Sequence, residues 1–168
     1  MYTTLNTKIT TELSLLRSGW FSPEYELTDG AESFGKLSYD FLIRRVAKAV
    51  CATQSWTFSF KELFSRTIII VDQSGTVIGE VTRDFFSRTR ILNMQSGFKA
   101  AFYRPIFSFT YTWVSEGYGP VMNIRVYPLN LKSTVHINQS MPPPAMIPLL
   151  IFLGEHLAIL RRRRKGAR

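Results

Sequence analysis

The chain has 168 residues, 45% hydrophobic and 14% aromatic, which suits one domain with a single sizeable core. Its formal net charge is +9, but the last eight residues carry six positive charges, so the body holds only about +3 and is poorly suited to phosphate-driven binding along nucleic acid. One cysteine, Cys51, excludes an internal disulfide and argues against an oxidising compartment.

The first residues lack the continuous apolar segment of a signal peptide. A cytoplasmic location is expected, with Asn138 to Ser140 a chance sequon. From Thr7 to Asp84 the chain reads as short strands and tight turns, β-branched and aromatic residues being bounded by Gly, Asp and Ser. Lys8 to Leu13 is a candidate first strand, although Leu13 to Gly19 equally fits a helical turn closed by glycine. Tyr25 to Leu27, a turn at Thr28 to Gly30, and Phe34 to Tyr39 form a hairpin. Phe41 to Ala52 suits strand or helix by periodicity, and its strand neighbours favour strand. Trp56, Phe58 and Phe60 alternate with Thr57 and Ser59, so these aromatics share one buried face.

Thr67 to Val71 and Thr76 to Thr82 make the clearest hairpin, with Gly75 free to take a positive φ in the turn. A shift of 44 residues lays Gly35 to Ser38 over Gly79 to Thr82, which leaves an internal duplication open. Phe85 to Met94, Phe98 to Arg104 and Ile106 to Val114 follow as strands. In the last, Phe107, Phe109, Tyr111 and Trp113 share one parity and predict a second aromatic face. A turn at Glu116 to Pro120, then Val121 to Tyr127 and Leu131 to Ile137, bring the total to about ten to twelve strands.

Ala145 to Leu160 is apolar on every side, broken only by the consecutive Gly154, Glu155 and His156. Such a helix must be surrounded. Its sixteen residues fall short of the roughly 20 that a bilayer core demands, and Glu155 would sit in hydrocarbon. A protein interior is expected, with no transmembrane span; a tail-anchored arrangement is the rival. A sandwich has no room for this helix, whereas a closed barrel of roughly eleven or twelve strands does. The expected fold is therefore mainly β: a closed antiparallel β-barrel of roughly twelve strands around a hydrophobic C-terminal α-helix. Residues 1–168 form one domain, and 145–165 the core helix with its basic end.

Trp56, Phe58 and Phe60, the hairpin from Ile68 through Gly75 to Val81, and the helix from Met146 to Leu160 resemble elements of the tubby-like superfamily. That group also includes the plant LURP-one-related proteins and the phospholipid scramblases. The likeness runs from Tyr25 to Lys165 and lies mostly in the order of elements. It implies a barrel closed around a hydrophobic C-terminal helix. Because some members bind phosphoinositide headgroups through basic residues on the barrel wall, it also implies an anionic phospholipid ligand. This chain has no clear counterpart of that basic motif.

His136, His156 and Cys51 are not spaced as zinc ligands, and Asp72 to Glu80 lacks the alternating oxygen ligands of a calcium loop. No nucleophile elbow, P-loop or dinucleotide fingerprint is present, and no carboxylate pair stands out. No catalytic, metal or cofactor site is therefore expected. Glu155 and His156 occupy adjacent helix positions that point about 100° apart, and a solvated or capped polar patch near one barrel mouth is their expected place.

The strongest constellation is basic: Arg83, Arg88, Arg90, Lys99 and Arg104 among Phe85, Phe86, Phe98, Phe102 and Tyr103, with Arg88 and Arg90 on one strand face. A solvated outer face with its aromatics turned inward accounts for it, as does a surface for anionic lipid. Arg161, Arg162, Arg163, Arg164 and Lys165 extend the set, either as a cap that keeps the helix soluble or as a membrane contact. The functional expectation is a non-enzymatic cytoplasmic binding module, peripheral at an anionic membrane. The alternatives are a protein-interaction scaffold and a nucleic-acid binder acting through the basic tail.

Overall fold

The computed structural model describes residues 1–6, 10–40, 45–127, 129, 131–138 and 143–166, with 164–166 described by their backbone. Lys8, Phe41 and Arg168, which belong to segments considered above, lie outside the described residues. Twelve strands close into one barrel: β1 (Glu12–Ser18), β2 (Glu24–Thr28), β3 (Ser33–Tyr39), β4 (Ala47–Cys51), β5 (Ser55–Phe60), β6 (Ile68–Asp72), β7 (Val77–Arg83), β8 (Arg90–Met94), β9 (Lys99–Tyr103), β10 (Thr110–Ser115), β11 (Gly119–Val126) and β12 (Lys132–Ile137). Each pairs antiparallel with its sequence neighbours, and β1 closes the ring on β12 through pairs such as Leu13 with Val135. The helix α1 (Met146–Gly166) fills the interior.

Alternation explains the wall. Leu13 and Leu15, Trp56 and Phe58, Ile68 and Ile70, and Tyr111 and Trp113 point inward and are buried. Outward positions such as Glu26, Lys48, Thr57, Thr112 and Lys132 are polar. The inner wall meets Ile147, Leu149 to Leu153, Leu157 and Ile159 of α1, all buried, and close packing of that surface is what a helix apolar on every side requires.

Because consecutive strands alternate in direction, connections alternate between the two ends of the barrel. The β2–β3, β4–β5, β6–β7, β8–β9 and β10–β11 turns share one end with the start of α1, where Pro144 and Pro148 lie beside Leu27, Phe34 and Cys51. The β1–β2, β3–β4, β5–β6, β7–β8, β9–β10 and β11–β12 connections share the other, where Ile159, Arg162 and Arg163 lie beside Arg17 and Trp20. We call these the helix-entry and helix-exit ends.

Register shifts occur in the β2–β3, β6–β7 and β10–β11 hairpins, four strands apart. In the first two, the residue preceding the shift faces a glycine, Leu27 with Gly35 and Ile70 with Gly79. The glycines aligned by the 44-residue shift thus have a shared local role. A β-carbon on Gly35 would lie 2.5 Å from the Val50 carbonyl oxygen and 2.9 Å from the Phe152 ring.

Four expectations need correction. The first strand is Glu12–Ser18, later in the chain than Lys8 to Leu13, and Leu13 to Ser18 is strand and not a helical turn. Phe107 and Phe109 are exposed rather than part of a buried face, because Pro105 has no N–H, Phe107 takes φ 63°, and Ser108 N–H donates to the Pro105 carbonyl at 3.2 Å. β10 therefore begins at Thr110. Phe85, Phe86 and Arg88 likewise leave the strands: the Asp84 carboxylate accepts from the Ser87 hydroxyl at 2.6 Å, and Asp84 N–H donates to the Thr89 carbonyl at 3.1 Å, closing a turn. Only Arg90 joins β8, and Phe85 and Phe86 face solvent. Glu155 and His156 form no solvated patch. Both are fully buried in the barrel.

Candidate functional site

The polar centre of the core is built on α1. Trp113 Nε1 donates to the Leu150 carbonyl at 2.9 Å, fixing the helix against β10. One turn later Glu155 and His156 leave the helix in different directions. Glu155 Oε1 accepts from Arg162 at 3.2 Å. Burial raises its pKa, while Arg162 and the Ser133 hydroxyl pull it down. His156 Nδ1 lies 2.7 Å from the Tyr39 hydroxyl, with the Tyr39 and Phe58 rings tilted against the imidazole. Burial, helped by the charges of Arg163 and Arg90, lowers the His156 pKa to about 3. Burial also holds the Tyr39 phenol protonated, with a pKa well above the usual value. Both partners are neutral at pH 7, so one donates and the other accepts. No described group bonds to His156 Nε2 or Glu155 Oε2. This cluster is sealed from solvent and orders the core; it is not an open reaction site.

The charged site lies at the helix-exit end. Arg104, at the end of β9, and Arg161, at the end of the apolar run of α1, both lie over the Tyr111 ring, 5.5 and 5.9 Å from its centroid. Burial lowers the Arg161 pKa, and the positive charges of Arg104, Arg88 and Arg83 lower it further. Arg104 Nε is buried with no hydrogen-bond partner among the described residues. Arg163 lies over the Tyr39 ring at 5.0 Å. Arg17, Arg162 and Arg163, with Trp20 and Tyr25, line a pocket of about 260 Å³ beside it. Two further arginines tie the rim together: Arg45 donates to the Leu63 carbonyl at 3.1 Å and Arg90 to the Arg66 carbonyl at 3.2 Å.

Of the residues expected to meet an anion, Arg83, Arg88, Arg90, Arg104, Arg161, Arg162 and Arg163 are brought to this end. Lys99 is not: it opens β9 and stands at the helix-entry end, about 14 Å along the strand from Tyr103. Arg164 and Lys165 continue the helix, with side chains outside the described residues. Arg17, Arg45 and Arg66 were not singled out from the sequence. Their signal is topological, since each borders a connection at the same end. Among the described residues no helix is long and apolar enough to cross a membrane, and no group of three or more His, Cys, Asp or Glu is placed to hold a metal ion. No protein-family model matches the chain, and neither a curated protein nor a solved structure matches it.

Proposed function

We propose that the protein is a non-enzymatic binding module for anionic phospholipid surfaces, which it meets with the helix-exit end. The observation that carries this reading is the convergence of Arg83, Arg88, Arg104 and Arg161. Elements far apart in sequence place Arg104 and Arg161 over one tyrosine ring, with Arg83 and Arg88 near enough to Arg161 for their charges to lower its pKa. Clustering like charges costs stability, and a polyanionic surface offsets that cost. The resemblance to the tubby-like superfamily, some of whose members bind phosphoinositide headgroups, supports the same reading.

The test is flotation of the full-length protein with phosphatidylcholine vesicles, with and without phosphatidylglycerol, at low and physiological ionic strength. Association restricted to the anionic vesicles and weakened by salt is expected. Equal association with both vesicle types, or none with either, would overturn the reading. So would salt-sensitive binding to duplex nucleic acid in the absence of vesicle binding.

A further inference from the structure

The two ends of the barrel differ sharply in chemistry. Among the described residues, five connections at the helix-exit end project large apolar side chains: Trp20 from β1–β2, Phe64 from β5–β6, Phe86 from β7–β8, Phe107 from β9–β10 and Leu129 from β11–β12 are 81% to 98% exposed. Glycine would adopt the φ of 63° at position 107 without strain, yet this position holds a phenyl ring out in solvent. At the helix-entry end the turns at 29–32, 52–54, 73–76 and 95–97 are made mostly of Asp, Glu, Gly, Ser, Thr and Gln.

The helix-exit end is also layered. Apolar tips come first; Arg17, Arg83, Arg90 and Arg104 follow one level behind, at the strand ends; the barrel wall lies behind them. A bilayer leaflet presents the same order from its interior outward: acyl chains, phosphates, water. The outer wall is mixed, with Ile69, Val71, Ile91 and Val114 set among Lys48, Thr57, Glu80 and Thr112, and lacks the continuous apolar band of a membrane-spanning barrel. A second copy presenting the same end would bring like charges together. The tips come from five connections that follow one another round the barrel mouth, a ring that suits a broad, fluid partner.

We propose that the helix-exit end is a membrane-insertion surface: these loop tips enter the acyl region of an anionic leaflet while the arginines behind them meet lipid phosphates, so that α1 stands along the membrane normal. This rests on the reading above and adds penetration and orientation to it. Apolar insertion together with cationic attraction makes a two-part anchor, stronger than either part alone.

Trp20 is the reporter, because Trp56 and Trp113 are buried in the core. The full-length protein is mixed with phosphatidylcholine and phosphatidylcholine–phosphatidylglycerol vesicles, with and without brominated acyl chains. On anionic vesicles the emission is expected to shift to the blue and to be quenched by the brominated chains, and part of the binding should survive high salt. The variant Phe64→Ser, Phe86→Ser, Phe107→Ser is expected to lose affinity at least about tenfold, since membrane binding scales with the apolar area buried. Its melting should match the parent's, and Tyr118→Ser at the opposite end should bind as the parent does. Binding to anionic vesicles that is wholly reversed by salt, without quenching of Trp20, would overturn insertion and leave the electrostatic contact standing. Absence of binding to any vesicle would overturn both. Self-association in solution that the triple variant abolishes, with no Trp20 quenching on vesicles, would assign the tips to a second copy instead.

Discussion

His156 shows most plainly what the interior does to a side chain. Its folded pKa of about 3 lies below the unfolded value of about 6.5, so between those pH values the unfolded chain binds a proton that the folded chain refuses. Stability therefore falls as pH drops through this window, by about 1.4 kcal/mol per pH unit from this group. His156→Gln keeps a partner for Tyr39 and removes the titration. In urea melts from pH 7 to 4, the difference between parent and variant should change with that slope; a constant difference would show that His156 does not titrate as described. Glu155 carries the opposite sign. Its folded pKa is raised, so its ionisation costs stability as pH rises past the ordinary carboxylate range, and Arg162 offsets that cost. Arg162→Gln should destabilise by about 3 kcal/mol at pH 7, the lower bound for breaking a buried pair, because Arg162 keeps 23% exposure. The loss should shrink below the carboxylate pKa, and a pH-independent loss would contradict the pairing. Adjacency in the sequence disclosed that these two residues diverge, but not how deep they lie. The apolar run stops at Leu160, which puts Glu155 near its end, whereas α1 continues to Gly166 and puts Glu155 at its middle.

Among the elements, α1 and the alternating strands were the most legible, since an apolar perimeter and a period of two each have one physical solution. The loops were not. Aromatic parity runs unbroken from Phe107 to Trp113, and only the missing N–H of Pro105 and the φ of Phe107 turn it into a loop followed by a strand. Packing of α1 against the wall makes a sharper test of the element. A β-carbon on Gly154 would lie 2.5 Å from Ile124 Cδ1 and 2.8 Å from Trp113 Nε1. Alanine improves helix propensity by about 1 kcal/mol, but overpacking a dense core costs about 1 to 3 kcal/mol. Gly154→Ala should therefore lower stability, with the Trp113 environment perturbed in near-ultraviolet circular dichroism. An unchanged or raised melting temperature would show that α1 has slack inside the barrel.

At the scale of the whole molecule, the decisive property is which loops share an end, and the sequence does not disclose it. Strand parity assigns each loop to an end, so a count of ten to twelve leaves every assignment open, and one missed strand reverses all those after it. Lys99 shows the consequence: it sits in the same basic cluster of the sequence as Arg104, yet β9 carries the two to opposite ends. That separation permits a matched comparison. Arg88 and Lys99 are both exposed, and replacing either by Glu changes the net charge equally. The measurement is binding of Arg88→Glu and Lys99→Glu to phosphatidylglycerol-containing vesicles at physiological salt. Each cation near an anionic surface contributes about 1 kcal/mol and reversal adds repulsion, so Arg88→Glu should weaken binding by roughly tenfold, while Lys99→Glu leaves it near the parent's. Equal losses from the two would mean that net charge alone drives association and that the helix-exit end is not the binding face.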